Sequence, residues 1–262
     1  YTQRNANRYL GDLVTTRTQE IEQKNKELQQ AYSEMKAISL TDQLTGLNNR
    51  RFLENHIAKD LQQWLRQLQN QLDGKTEHSK NTDIVFFMID MDDFKAVNDT
   101  HGHSAGDVVL KQLAKRMQSV FRKSDHIVRW GDEEFVAVAK FIERTEAPVL
   151  AQRMLDMVNT TPFELTNNKT ANQSCSIGYV SFPATLKTIN SLHWHTFISL
   201  ADACLDAAKY SGKNTWVGIQ DIIDTDLPMH NISAKKLQDW YQQQVTLITS
   251  LSSPDDIKWD PS

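Results

Sequence analysis

Three acidic residues follow a single glycine in Val128-Arg129-Trp130-Gly131-Asp132-Glu133-Glu134-Phe135-Val136-Ala137-Val138, between two apolar runs each short enough to be a strand. A second acidic group, Asp90-Met91-Asp92-Asp93-Phe94-Lys95, follows the apolar run Ile84 to Ile89. Carboxylates at the carboxyl end of a buried strand stand where sites open in sheets flanked by helices. A calcium loop does not fit, because the sixth position counted from Asp90 is Lys95 rather than glycine and the twelfth is His101 rather than glutamate. Magnesium fits better, being satisfied by one or two carboxylates, a carbonyl and substrate phosphates. If the Gly131 turn lies beside the Ile84 strand, Glu133 and Asp90 can close on one ion. A pair of ions about 3.5 to 4 Å apart would then serve phosphoryl or nucleotidyl transfer. Spacing alone leaves the plainer reading open, two unrelated solvated turns.

The elements that must position these residues follow from periodicity. Val14, Ile21, Leu28 and Met35 recur every seven residues, the a-position pattern of a coiled coil over residues 10 to 38. The d positions Arg17, Lys24, Ala31 and Ile38 are apolar only toward the C-terminal end, so the seam is weak. A parallel homodimer is expected there, with a single amphipathic surface helix as the alternative. Thr41 or Asp42 is expected to cap the next helix, which Phe52, Ile57, Leu61, Trp64, Leu65 and Leu68 carry to about Leu72. After a polar loop from Gly74 to Thr82, the patterns predict a central strand over Ile84 to Ile89 and a helix over Ala105 to Phe121. The Gly131 hairpin follows, with Gly-Asp as a two-residue turn. Then come a helix over Ala147 to Val158, a strand over Gln173 to Phe182, a helix over Thr196 to Tyr210 and a short strand over Thr215 to Ile219. Helices alternating with strands indicate an α/β or α+β class, one sheet flanked by helices. Past a turn at Pro228, the spacing of Leu237, Trp240, Tyr241, Val245 and Ile248 predicts a short packed helix, and disorder is expected at the end of Pro254 to Ser262.

Five stretches fall in one order: Asp42-Gln43-Leu44-Thr45-Gly46-Leu47-Asn48-Asn49-Arg50; Ile89 to Asp107, reading IDMDDFKAVNDTHGHSAGD; Arg129-Trp130-Gly131-Asp132-Glu133-Glu134-Phe135; Cys175-Ser176-Ile177-Gly178; and Ala207-Ala208-Lys209-Tyr210-Ser211-Gly212-Lys213-Asn214. Together they resemble the GGDEF family of diguanylate cyclases. The resemblance implies a central five-stranded, mainly antiparallel sheet surrounded by helices, akin to the palm of nucleotide cyclases and polymerases. It further implies a coiled-coil helix over 1–40, a catalytic domain over 41–219 and a C-terminal extension over 220–262. Asp90 and Glu133, with the Met91 carbonyl, would hold two Mg2+ or Mn2+ ions per active site. Lys95, Lys209 and Lys213 would contact the triphosphate of GTP. Lys213 stands where the family more often has Arg, keeping the charge but losing the two-pronged fork. Asn98 and Asp107 would read guanine, Glu134 would lie near the attacking ribose hydroxyl, and the Gly131-Asp132 turn would lie against the nucleotide. Arg122 and Asp125, with Arg153 as companion, would form the site at which cyclic di-GMP inhibits.

Asp132 stands where the family signature has a second glycine. A carboxylate about 5 Å from a phosphate charge would cost roughly 3 kcal/mol at an effective dielectric of 20. The expectation is therefore a working or weakened cyclase. The alternative is a catalytically silent receptor for cyclic di-GMP, or for GTP, through the Arg122 and Asp125 site.

Composition excludes other classes. With 39% apolar and 24% charged residues the chain is ordinary for a soluble globular protein, and a net charge of -4 provides no basic stripe for a nucleic-acid polymer. The Ile84 to Ile89 run is too short to span a bilayer and the polar start Tyr1-Thr2-Gln3-Arg4 is no signal peptide, so no membrane contact is expected from this segment. Cys175 and Cys204 read as buried, reduced thiols. The family resemblance implies a cytoplasmic output domain fused to an upstream sensor, membrane-anchored or not.

Overall fold

The computed structural model describes residues 17–29, 35, 39–73, 75, 83–165, 169–182, 193–222, 232–241 and 243–260. The chain divides into two units, Tyr1–Thr41 and Asp42–Ser262. In the first, residues 17–29 are helical, and Ile21, Leu28 and Met35 of the expected seam are 59, 69 and 65% exposed. Val14, Ala31 and Ile38 of that seam lie outside the described residues, as does most of the expected loop before Thr82.

In chain order the second unit comprises β1 (Asn48–Asn49), α1 (Arg50–Leu72), β2 (Asp83–Met91), α2 (Phe94–His101), α3 (His103–Val120), β3 (His126–Arg129) and β4 (Glu134–Ile142). It continues with α4 (Glu146–Asn159), β5 (Phe163–Glu164), β6 (Thr170–Ala171), β7 (Cys175–Phe182), α5 (Trp194–Tyr210), β8 (Trp216–Ile222), α6 (Ala234–Trp240) and β9 (Val245–Thr249). The main sheet runs β1-β3-β4-β2-β7-β8-β9, and β5 with β6 forms a separate hairpin. Among the described strands of this sheet, β1 with β3 and β7 with β8 pair in parallel and the other neighbours are antiparallel. The expected five strands are the inner five; β1 and β9 extend the sheet to seven at its edges.

All nine residues of β2 are buried, as a central strand covered on both faces requires. Val85, Phe87, Ile89 and Met91 face a core shared with α2, α3 and α4. Ile84, Phe86 and Met88 face the other core, shared with α1 and α5. At Gly178 on β7 an added Cβ would lie 1.9 Å from the Ala201 carbonyl and 2.2 Å from the Leu205 amide, so α5 rests on the strand at backbone distance. That close seat fixes where the last turn of α5 meets the carboxyl end of β2. Cys175 and Cys204 are both buried, which pushes their thiols upward.

Two local expectations differ from the structure. The cap of α1 is Asn49, whose side chain accepts from the Phe52 amide at 3.1 Å; Asp42 instead folds its own turn, accepting from the Thr45 amide at 2.8 Å and hydroxyl at 2.6 Å. Replacing Asn49 by Ala is expected to cost about 1 kcal/mol, read as a lowered thermal midpoint. The predicted helix through Ile248 ends at Trp240, and Val245–Thr249 is a strand on β8. Val245, Thr246, Ile248 and Thr249 are β-branched, with Val245 and Leu247 buried around an exposed Thr246, which favours a pleated edge. Beyond it, Ser253 and Asp256 cap a short 3-10 helix, Pro254–Asp256, and Ile257 is buried; the expected disordered end falls on residues outside the described ones. Among the described residues no helix is long and apolar enough to cross a membrane.

Candidate active site

The register of β2 joins the two acidic turns. Asp90 pairs with Glu134 across to β4 and with Ser176 across to β7, and the Met91 amide donates to the Glu133 carbonyl at 3.4 Å. Asp90 is only 5% exposed, and the Lys209 ammonium lies 3.1 Å from its carboxylate. Burial pushes the Asp90 carboxyl up to about 6; Lys209 opposes the rise, while Glu133 and Glu134 add to it. Asp202 and Asp206, one turn apart on α5, complete an acidic rim around Lys209. Burial raises both, Asp202 to about 6 with further push from Asp206 and Glu134. An oxygen-rich cluster whose central carboxylate resists its own charge suits a hard dication, which would reverse that balance. Among the described residues no three His, Cys, Asp or Glu side chains close on one point.

The turn before β4 is not a two-residue hairpin. Arg129 pairs with Phe135, and both the Trp130 and Gly131 amides donate to the Glu134 carbonyl, at 2.8 and 3.2 Å. No residue of this turn has a positive φ, so glycine is not needed for conformation at either position. A Cβ at Gly131 would sit 2.7 Å from a Glu134 carboxylate oxygen, so a side chain there would have to turn the Glu134 carboxylate aside. Asp132 is exposed and its backbone is unstrained. The turn is gripped by Arg129, which donates to the carbonyls of Gly131 at 3.2 Å and Asp132 at 2.9 Å and reaches both Asp42 oxygens at 3.3 Å. Burial works against the Asp42 carboxylate, yet the Thr45 hydrogen bonds and the Arg129 guanidinium hold its carboxyl below the usual range. Nothing in the spacing marked Arg129 as this clamp except its place before the turn.

A cleft of about 470 Å³, within the ordinary range for small ligands, opens beside this turn. Lys95, Asn98, Asp107, Asp132 and Glu133 line it together with Arg129. Asn98 and Asp107 meet there because α2 and α3 touch closely, a Cβ on Gly106 falling 2.0 Å from the Asn98 amide oxygen. Lys213 does not line this cleft; its ammonium bonds Asp93 at 2.5 Å. Gly212, Lys213 and Asn214 all have positive φ, at 107°, 63° and 49°. The two non-glycine residues each carry roughly 1 kcal/mol of strain. Asp92, absent from the sequence-based site, holds this turn from one side. It accepts from the Asn214 amide at 3.0 Å and from the Ser174 and Ser176 hydroxyls at 2.6 and 2.7 Å. A buried aspartate followed by serines on the neighbouring strand carries no sequence signal until the register is known.

A second cleft, of about 590 Å³, contains Arg122 and Asp125 with Gly46, Gln118, Phe121 and Ile127. Asp125 is buried and accepts from the Arg122 amide at 2.8 Å and the Lys140 amide at 3.2 Å; the Arg122 guanidinium lies 3.3 Å from Glu146. Arg153 is exposed on α4 and is not among the residues lining that cleft.

Comparison with known proteins identifies the family. Residues 39–215 match the family model described as diguanylate cyclase, GGDEF domain. The bifunctional diguanylate cyclase/cyclic di-GMP phosphodiesterase MucR of Pseudomonas aeruginosa is 32% identical over 187 residues, 71% of this chain and 24% of MucR. The response regulator PleD of Caulobacter vibrioides is 32% identical over 184 residues, 69% of this chain and 36% of PleD. The chain thus spans about a quarter to a third of these relatives. Among solved structures, the diguanylate cyclase SiaD of Pseudomonas aeruginosa, in complex with its activator SiaC, superposes with a TM-score of 0.56 at 29% identity, covering 80% of this chain and 74% of that one. The coiled coil and GGDEF domain of DgcB from Caulobacter crescentus, in complex with c-di-GMP, shares the fold with a TM-score of 0.62 at 22% identity, covering 77% of this chain and 96% of that one. With its fold, its joined acidic turns and two thirds of its length matched, this chain belongs to the GGDEF domain family of diguanylate cyclases.

Proposed function

We propose that the chain condenses two GTP into cyclic di-GMP, releasing two pyrophosphates, as a dimer in which each copy holds one nucleotide. The observation that carries the reading is the cleft that gathers Lys95, Asn98, Asp107 and Glu133 beside the buried Asp90. Asn98 would satisfy the guanine carbonyl face with its amide and Asp107 would accept from its N–H groups. Lys95 would hold the triphosphate, joined by Lys209 and Lys213 once their ammonium groups exchange Asp90 and Asp93 for phosphate oxygens. Asp90, Glu133 and the Met91 carbonyl would hold two magnesium or manganese ions, which when bound supply a lowered hydroxyl pKa and a counter-charge for the phosphates. Each 3'-hydroxyl, lying near Glu134, would attack the α-phosphorus of the opposite nucleotide as pyrophosphate leaves. Most of the catalysis is then positioning and electrostatics.

Two copies are needed because one cleft presents one nucleotide. The exposed Ile21 and Leu28, on the helical residues 17–29, and Met35 support pairing through the seven-residue repeat of residues 10 to 38, with 41–219 catalytic and 220–262 an extension. A change of register in that helix would alter how often two half-sites meet. In this reading the chain is the cytoplasmic output part of a longer sensor. Incubation with GTP and magnesium should yield cyclic dinucleotide at a rate rising with the square of protein concentration until the dimer saturates. Absence of product at high concentration would overturn the reading. Replacing Ile21 and Leu28 together by Asp should lower specific activity several-fold at low concentration, with the loss shrinking as protein is added.

The second cleft favours a companion reading, product binding at Arg122 and Asp125, whether as feedback or in a silent receptor. Arg122→Ala should abolish binding of cyclic di-GMP there and leave GTP affinity unchanged, as measured by calorimetric titration.

A further inference from the structure

The family match ends at residue 215, yet the residues just beyond it are tied to the turn that carries Lys213. Ser250, the first residue after β9, shares a 2.5 Å hydroxyl contact with Thr215, accepts from the Trp216 amide at 3.0 Å and returns its own amide to the Trp216 carbonyl at 3.2 Å. The Thr249 hydroxyl donates to the same carbonyl at 2.7 Å. At the other end of the turn the Lys258 amide donates to the Ser211 hydroxyl at 2.9 Å, which itself donates to the Ala207 carbonyl at 2.6 Å on the last turn of α5. Between these two grips lie Gly212, Lys213 and Asn214, all left-handed. Asp92 holds Asn214 from the sheet side. The extension itself is anchored in the core by other residues, the buried Leu237, Trp240, Val245, Leu247 and Ile257.

We infer that the C-terminal extension is a built-in brace of the triphosphate-contacting turn, with Ser250 as a positioning residue that acts through Lys213. A run of left-handed residues is held only where its surroundings over-determine it. Here the surroundings are Asp92 on one side and residues 249–258 on the other. Releasing one side lets the turn relax and moves the ammonium, so ligand affinity falls while the fold, which rests on the buried residues, persists. This inference rests on the reading of Lys213 as a triphosphate contact.

The test is a double-mutant cycle on GTP affinity, measured by calorimetry with magnesium and checked by thermal unfolding. Ser250→Ala should weaken GTP about fivefold in the wild-type background, and Ser250→Thr, which keeps the hydroxyl, should restore it. In a Lys213→Ala background the same Ser250→Ala change should cost less than about 1.5-fold, because the group it positions is gone. Wild-type affinity in Ser250→Ala, or an equal loss in both backgrounds, would overturn the brace. Unchanged affinity in Lys213→Ala alone would overturn the reading of Lys213 itself, and the brace with it.

Discussion

Asp90→Asn is expected to lower cyclic dinucleotide formation about a thousandfold while making the ligand-free protein more stable at neutral pH. The two effects share one cause. Asp90 is buried beside two other carboxylates, and its carboxyl is raised to about 6 from an ordinary value near 3.8. A raised carboxyl contributes stability below the unfolded value, near pH 4, and that contribution is lost as pH rises through about 6. At pH 7 to 8 the folded chain therefore carries a charge it disfavours, by an amount on the order of 3 kcal/mol, and the amide removes it. Asp42 and Asp60 are held low and pull stability the opposite way in acid. The difference between wild type and variant, followed by thermal unfolding from pH 8 to pH 4, isolates Asp90. The variant should unfold at the higher temperature at pH 8, and the gap should close on acidification. A gap that stays constant with pH would refute the electrostatic account, and retained turnover would refute the metal role of Asp90.

Asp132→Gly should raise the efficiency of GTP use about five- to thirtyfold. The side chain lies on the wall of the cleft with Lys95 and Glu133, where phosphate charge would arrive. The unscreened estimate of roughly 3 kcal/mol is an upper figure. Asp132 is exposed, and water and salt reduce it to about 1 to 2 kcal/mol. Its backbone has no left-handed φ to relieve, so glycine brings no conformational gain and costs up to about 1 kcal/mol of stability through the unfolded chain. Asp132→Asn separates charge from bulk. If charge is the handicap, Asn should recover most of the gain; if the backbone must approach the nucleotide, only Gly should. Rates unchanged in both would show that Asp132 does not limit this site.

The fold was legible wherever one period dominated. The continuous apolar run of β2 and the helical spacing of α3 and α5 named their elements directly, and five ordered stretches named the family. The tail was misread because Leu237, Trp240, Val245 and Ile248 fit a helical period while the β-branched content of 245–249 pointed to a strand, and the edge of β8 decided between them. In the candidate site, most residues that line the cleft were marked in the sequence and their scaffolding was not. Asp90 and Glu133 stood out as acids in two turns after apolar runs, and Lys95, Asn98 and Asp107 through the resemblance to the family. Asp92, Arg129 and Ser250 did not, because their roles are hydrogen bonds across 84, 87 and 34 positions of chain, which no local pattern encodes. The two-residue turn inferred for Gly131-Asp132 failed because strand pairing stops at Arg129 and Phe135, and the Trp130 and Gly131 amides close on the Glu134 carbonyl instead.

The ends of the sheet bear on how copies of this chain avoid unwanted association. An open strand edge invites another chain to extend it. Here one edge strand is Asn48–Asn49, two polar residues long, and the other is five residues followed by Ser250-Leu251-Ser252-Ser253-Pro254. Neither offers more than a few free backbone groups, and the proline ends any extension of the second. Sheet-to-sheet polymerisation is thereby discouraged at both margins.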